Sequence, residues 1–222
     1  QAATRVLVLQ TAQLGIARAL DAAGIPHVWL KGIALAATVY PDAALRPMVD
    51  LDFLVAYDQR QAALDCLHRI GYDAAESPNL LDFNSQSLHE LGKHFVLRGG
   101  PAGVVTVELH YRLLDPKVSA FFSPAQQAWF QQQTTTYSVG GAQLVTLTAE
   151  SHLLFLCAHM VLQHGLADFV LTRLLDIHYM VTKQQIDWAT LLNKAAELRW
   201  TFALEQALRL SHKWFATPIP QR

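Results

Sequence analysis

The sequence predicts an α+β fold: a small mixed β-sheet flanked by helices over residues 1–147, followed by an all-helical part over 148–222. Three observations carry this reading. Short apolar runs bounded by Gly and Pro alternate with helical stretches up to residue 147, whereas beyond it the apolar residues keep helical spacing. Gly140-Gly141 separates two strand-like runs, Thr134 to Val139 and Ala142 to Leu147, in the manner of a two-residue hairpin. The remaining signals punctuate the chain consistently with these readings.

Residues 3–23 place Val6, Leu9, Leu14, Ile16, Ala17 and Leu20 at helical spacing and stop at Gly24, ahead of Ile25-Pro26. A strand from His27 to Leu30 follows, then Lys31-Gly32 and a helix from Ile33 to Tyr40 halted by Pro41-Asp42. Such a junction leaves backbone N–H groups where an anion can bind. Next come a strand from Leu51 to Val55, a helix from Asp58 to Ile70 closed by Gly71, and a polar stretch, 72–92, expected as a mobile loop broken by Ser77-Pro78-Asn79. Strands at His94 to Arg98 and Val104 to Arg112 flank a Gly-rich turn, and a helix spans Pro124 to Gln132. Thr148 is placed to cap the next helix, with Glu150 in its first turn. Helices over 168–183, 187–198 and 200–215 complete the chain, with Trp188, Trp200 and Trp214 expected in packing.

A chain of 222 residues, 52% of them hydrophobic, can bury a substantial core. Seventeen basic against eighteen acidic residues give a formal charge of -1, so no general attraction to nucleic acid or to an anionic membrane is built in. Cys66 and Cys157 read as buried thiols of a reducing compartment; with no signal peptide and no apolar run of spanning length, a soluble cytoplasmic protein is expected. The initial Gln1 and the ending Thr-Pro-Ile-Pro-Gln-Arg222 suggest that both ends are cut from something longer.

The chemistry concentrates in Arg46-Pro-Met-Val-Asp-Leu-Asp-Phe-Leu-Val55. Side chains alternate faces along a strand, so Asp50 and Asp52 project together while Val49, Leu51 and Phe53 point the other way. Two carboxylates in one small volume repel, and one pKa rises unless a divalent cation lies between them. In Val104 to His110 the same alternation puts Thr106, Glu108 and His110 opposite Val105, Val107 and Leu109. If the two strands are neighbours, Asp50, Asp52 and Glu108 converge into a set able to hold two Mg²⁺ ions.

The ordered set of LKG at 30–32, RPMVDLDFLV at 46–55 and VELHYRL at 107–113 resembles an uncharacterised bacterial nucleotidyltransferase-like family of the DNA polymerase beta superfamily. The runs His152 to His159, His164-Gly165 and Arg173 to Asp176 are similar to that family's helical half. The resemblance implies a nucleotidyltransferase fold and transfer of a nucleoside monophosphate from an NTP to an acceptor hydroxyl, with release of pyrophosphate. It implies Asp50, Asp52 and Glu108 as metal ligands, Glu108 also as a base, and Gly32 as the point where backbone approaches the triphosphate. Where the superfamily commonly has Gly-Ser, this chain has Lys31-Gly32, with Lys31 as a point charge in place of the serine; Arg46 is within reach of a phosphate bound near the metals.

Plainer roles compete. Glu108 can pair with Arg112 or Lys93, Lys31 can be a surface lysine, Arg46 can bridge to Asp42, and His110 can be an ordinary cross-strand histidine. His152, His159 and His164 lack the spacing of a zinc site and read as buried or cleft-lining histidines; Arg173 and Asp176 read as an i, i+3 pair or an interhelical bridge. The acceptor is a small molecule, a protein side chain or an RNA end. The rival to catalysis is a binding module of the same fold, a nucleotide sensor or an antitoxin with a small helical toxin partner.

Overall fold

A computed structural model describes residues 2–74, 93–118, 123–165 and 170–219. Among them, seven strands form one mixed sheet. The chain runs α1 (Ala2–Ala22), β1 (His27–Leu30), α2 (Lys31–Thr38), β2 (Asp50–Val55), α3 (Arg60–Arg69), β3 (Tyr72–Ala74), β4 (His94–Gly99) and β5 (Val105–His110). It continues through α4 (Pro124–Gln132), β6 (Thr134–Val139), β7 (Ala142–Leu147), α5 (Ala149–Ala158), a π turn (His159–Gln163), α6 (Leu171–Lys183), α7 (Trp188–Glu197) and α8 (Thr201–Phe215).

The strand order is β3-β4-β5-β2-β1-β7-β6, with β2/β5 and β1/β7 parallel and the other pairs antiparallel. Alternation divides the sheet into two faces with different fates. Trp29, Leu51, Phe53, Val55, Val105, Val107 and Leu109 are buried against α1 and α3 through Leu9, Ile16, Leu20, Ala63 and Leu67. The opposite face buries Val28, Leu30 and Leu54 under α5 to α8, where Leu153, Phe155, Leu174, Ile177, Leu204 and Trp200 complete a second cluster. Asp50, Asp52, Glu108 and His110 share that second face, so the acids lie between the sheet and the helical part. Burial of the apolar side chains, about 1.5–3 kcal/mol each, is what holds this polar layer in place.

Several expectations need revising. The stretch expected as an irregular loop from 72 begins with an edge strand, β3, paired antiparallel to β4; its remainder, including Ser77 to Asn79, lies outside the described residues. The helix expected from Asp58 starts with a 3-10 turn at Tyr57–Gln59, and α2 begins at Lys31 rather than Ile33. Thr148 stands at the N-cap of α5, but its hydroxyl bonds the Ser151 hydroxyl at 3.0 Å instead of the backbone. The glycine hairpin forms as read, with Gly140 and Gly141 at φ 55° and 81°, the positive values a primed two-residue turn needs. Trp200 is buried, whereas Trp214 is 52% exposed. Cys66 and Cys157 are buried, unbridged thiols.

One polar tie links the sheet part to the helices. Arg46 donates from Nε and Nη2 to the two carboxylate oxygens of Asp176 on α6, at 2.9 and 2.7 Å, and Tyr40 donates its hydroxyl to the same carboxylate at 2.7 Å. Arg46 therefore does not bridge to Asp42, which instead caps its own turn through Ala44 N–H. The guanidinium lies against Gly32, where a Cβ would run into it, so glycine here makes room for an arginine. Asp176 is 2% exposed, and truncating one partner of a buried charge pair typically costs about 3–5 kcal/mol. Asp176→Ala should lower the unfolding free energy by about that amount in urea titrations, and Tyr40→Phe by less; an Asp176→Ala protein as stable as the parent would show that the tie contributes nothing.

Candidate active site

The site grows from the end of β1. Leu30, its last residue, pairs with Asp52, and β5 flanks β2 on the other side with Glu108 directly beside Asp52 and Thr106 beside Asp50. Immediately after Leu30 the chain turns into α2, and Lys31 adopts φ 45°, a left-handed conformation that a residue with a Cβ takes at a cost of about 1–2 kcal/mol. The strained residue is thus Lys31 and not Gly32. The turn throws its side chain back over the sheet, and Lys31 Nζ comes to 2.5 Å from Asp52 Oδ1, 3.4 Å from Glu108 Oε2 and 3.5 Å from His110 Nε2. Its backbone N–H donates to His152 Nε2 at 3.2 Å, so that ring nitrogen carries no proton.

His110 ties the two acids from below. Its Nε2 is 3.0 Å from Asp52 Oδ1 and 3.1 Å from Glu108 Oε2, and because carboxylates only accept, this nitrogen carries the hydrogen. Burial pushes the Asp52 carboxyl up, but the Lys31 ammonium and the His110 bond outweigh it and hold Asp52 below the usual range. Glu108 is held far below it by the His110 bond and by Lys31, again against burial. Lys31 stays charged: burial lowers its pKa, and Asp52 and Glu108 more than restore it. Asp50 lacks a close partner of this kind, and burial followed by the charges of Asp52 and Glu108 raises it to about 6.

These groups open into one cavity of about 220 Å³. Lys31, Gly32, Asp50, Asp52 and Glu108 form its sheet side; Arg46, Asp176, Arg173, Leu156, His159 and His164 line the helical side, and Lys93 the rim. All six predicted site residues therefore meet in one space, although Arg46 enters it already paired to Asp176. His159, read from the sequence as a buried or cleft-lining histidine, lines the cavity, whereas His94 had no assigned role. His159 opens the π turn, a feature frequent at functional sites; its ring meets His164 edge to face at 4.6 Å, and its buried Nε2 has no hydrogen-bond partner among the described residues. His94, opposite His110 on β4, lies 3.9 Å from Glu108 Oε1 and is lowered to about 4 by burial and then by His110.

The donor chemistry suits a hard cation. Asp50, Asp52 and Glu108 offer carboxylate oxygens on one face, and the Lys31 ammonium already stands where a positive charge satisfies two of them. Carboxylate oxygens are the donors that Mg²⁺ takes, and on Asp52 and Glu108 such an ion would compete with Lys31.

Comparison with known proteins gives the family of this chain. The sequence model described as "Uncharacterised nucleotidyltransferase" matches residues 1–216, and the chain belongs to that family. No curated protein matches it in sequence. Among solved structures, an antigenic nucleotidyltransferase-like protein from Paracoccidioides brasiliensis superposes with a TM-score of 0.60 at 18% identity, covering 95% of this chain and 91% of that one. ANT(2'')-Ia in complex with adenylyl-2''-tobramycin gives 0.57 at 13% identity, covering 87% and 98%. The lincosamide antibiotic adenylyltransferase LnuA, lincomycin-bound, gives 0.50 at 14%, covering 78% and 96%. At these identities the likeness is one of fold. No helix among the described residues is long and apolar enough to cross a membrane.

The raised pKa of Asp50 makes a testable signature. Between about pH 4 and 6 the folded protein binds a proton that the unfolded chain has released, so this group's contribution to stability declines as pH rises through that window. In EDTA, Asp50→Asn should raise the thermal midpoint relative to the parent at pH 7.5 more than at pH 4. A difference independent of pH would mean that Asp50 titrates as an ordinary carboxylate.

Proposed function

We propose that the protein is a Mg²⁺-dependent nucleotidyltransferase that moves a nucleoside monophosphate from an NTP to a hydroxyl of a small-molecule acceptor and releases pyrophosphate. The observation that carries this reading is the register of β2 and β5, which sets Asp52 beside Glu108 with Asp50 on the same face, all three lining one partly open cavity. Family membership supports the class of reaction.

Asp50, Asp52 and Glu108 would hold Mg²⁺, which when bound neutralises phosphate charge and favours departure of pyrophosphate. Lys31, displaced from the two carboxylates, sits at the start of α2, where its ammonium can meet a phosphate oxygen. Arg46 keeps Nε and Nη2 on Asp176 and has Nη1, beside Gly32, committed only to a long 3.4 Å contact with the Pro47 carbonyl, so one edge of the guanidinium remains for phosphate. The reacting acceptor oxygen must lose its proton as it attacks the α-phosphorus and the bond to the β-phosphate oxygen breaks. Glu108, released by Lys31 in that state and lining the cavity, is the carboxylate placed to take it.

The near-neutral net charge offers no field for a long polyanion, which favours a small acceptor. The molecules named for two structural neighbours, adenylyl-2''-tobramycin and lincomycin, are of that size class. With Mg²⁺, labelled NTPs and a panel of hydroxylated small molecules, the protein should release pyrophosphate and label an acceptor. Asp50→Asn combined with Asp52→Asn should reduce turnover by about 10³-fold or more, roughly 4 kcal/mol of barrier. Turnover that survives both substitutions would defeat the proposal.

A further inference from the structure

Two imidazoles face one carboxylate on the floor of the cavity. His94 Nε2 is 3.9 Å from Glu108 Oε1 and His110 Nε2 is 3.1 Å from Glu108 Oε2. One donor atom from each of the three residues lies within 4.8 Å of the others. The backbone builds this arrangement: antiparallel pairing of β4 and β5 sets His94 opposite His110, and Glu108 is two residues back on the same face. The rings stand 5.0 Å apart, tilted by 46°.

We infer that His94, Glu108 and His110 form a site for a divalent ion that accepts nitrogen ligands, such as Mn²⁺, Co²⁺ or Zn²⁺, at the Glu108 end of the acid cluster. The inference deepens the proposed function, with which it shares Glu108.

Binding an ion here replaces the hydrogen bonds that His110 Nε2 now donates: the ring takes the tautomer with its hydrogen on Nδ1, and the distances then suit a shared ion. Separations of 3.1 and 3.9 Å are those of two ligands bound to one ion at roughly 2.0–2.2 Å each, whereas 3.9 Å is too long for a hydrogen bond. His94 makes no hydrogen bond through either ring nitrogen among the described residues, although its side chain is only 19% exposed and its Nδ1 is fully buried. The Nε2 that faces Glu108 is thus uncommitted among the described residues and open to an ion, with the ring hydrogen on Nδ1. The place for a positive charge is also marked: Lys31 Nζ stands 3.4 Å from Glu108 Oε2 and 3.5 Å from His110 Nε2. A nitrogen-rich donor set selects against Mg²⁺, which favours oxygen and retained water, and in favour of ions for which imidazole is a good ligand.

The test uses the purified full chain stripped with EDTA. Zn²⁺ should bind at least roughly 100-fold more tightly than Mg²⁺, as expected for imidazole ligands. Bound Co²⁺ should show the ligand-field absorption of nitrogen coordination. His94→Gln should weaken Zn²⁺ at least tenfold without moving the thermal midpoint, and His94→Asp should shift preference back towards Mg²⁺. Equal affinity for Zn²⁺ and Mg²⁺, or Zn²⁺ affinity unchanged in His94→Gln, would overturn the inference. His94-dependent Zn²⁺ binding in a protein that releases no pyrophosphate would instead defeat the proposed reaction and leave this site standing.

Discussion

The ion pair between Lys31 and Asp52 is the contact on which the rest of the site depends. Asp52 is 3% exposed, and an ionised carboxylate this deep persists only with a charge and hydrogen bonds beside it. Lys31 supplies the charge and His110 the hydrogen bond, and both reach Glu108 as well. The left-handed backbone at Lys31 is the local cost of that placement: a residue continuing β1 in extended form would alternate to the far face, and the turn brings its side chain back over Asp52. Strain at one residue and order in three others are therefore one feature.

The helical part encloses this polar layer and adds to it. Because Val28, Leu30 and Leu54 occupy the same sheet face as the acids, the helices that bury them must end where the carboxylates begin. The π turn at His159–Gln163 lies at that border, and the Arg46–Asp176–Tyr40 cluster fastens α6 to the segment between α2 and β2. Gly32 is shaped by the same constraint, its missing Cβ being filled by the guanidinium. A cavity walled by acids on one side and by arginines and histidines on the other follows from this packing.

Much of this was legible in the chain because period two is a local property. Alternation placed Asp50 with Asp52 and Glu108 with His110, and the glycine pair fixed the β6–β7 hairpin. The pairing of β2 with β5 was not local: the strands are parallel, some 50 residues apart, and no turn links their register. The face of His94 could have been found but not its partner: equal steps outward from the Gly99 to Gly103 turn would set His94 opposite Glu108, whereas the register sets it opposite His110, two residues on along the same face. The partner of Arg46 could not, because Asp176 lies 130 residues away and the nearer Asp42 was the simpler expectation. Likewise a three-residue edge strand such as β3 carries too short a pattern to announce itself.

The proposed reaction requires a divalent cation to take the place of the Lys31 ammonium on Asp52 and Glu108. Titration of Mn²⁺ into the nucleotide-free protein, followed by loss of the free-ion EPR signal, tests it directly when the parent is compared with Lys31→Met. Removal of the ammonium leaves two buried carboxylates without their counter-charge, so the variant should bind Mn²⁺ at least tenfold more tightly. Mn²⁺ affinity that is unchanged or weaker in Lys31→Met would show that the lysine and the metal do not compete for one place.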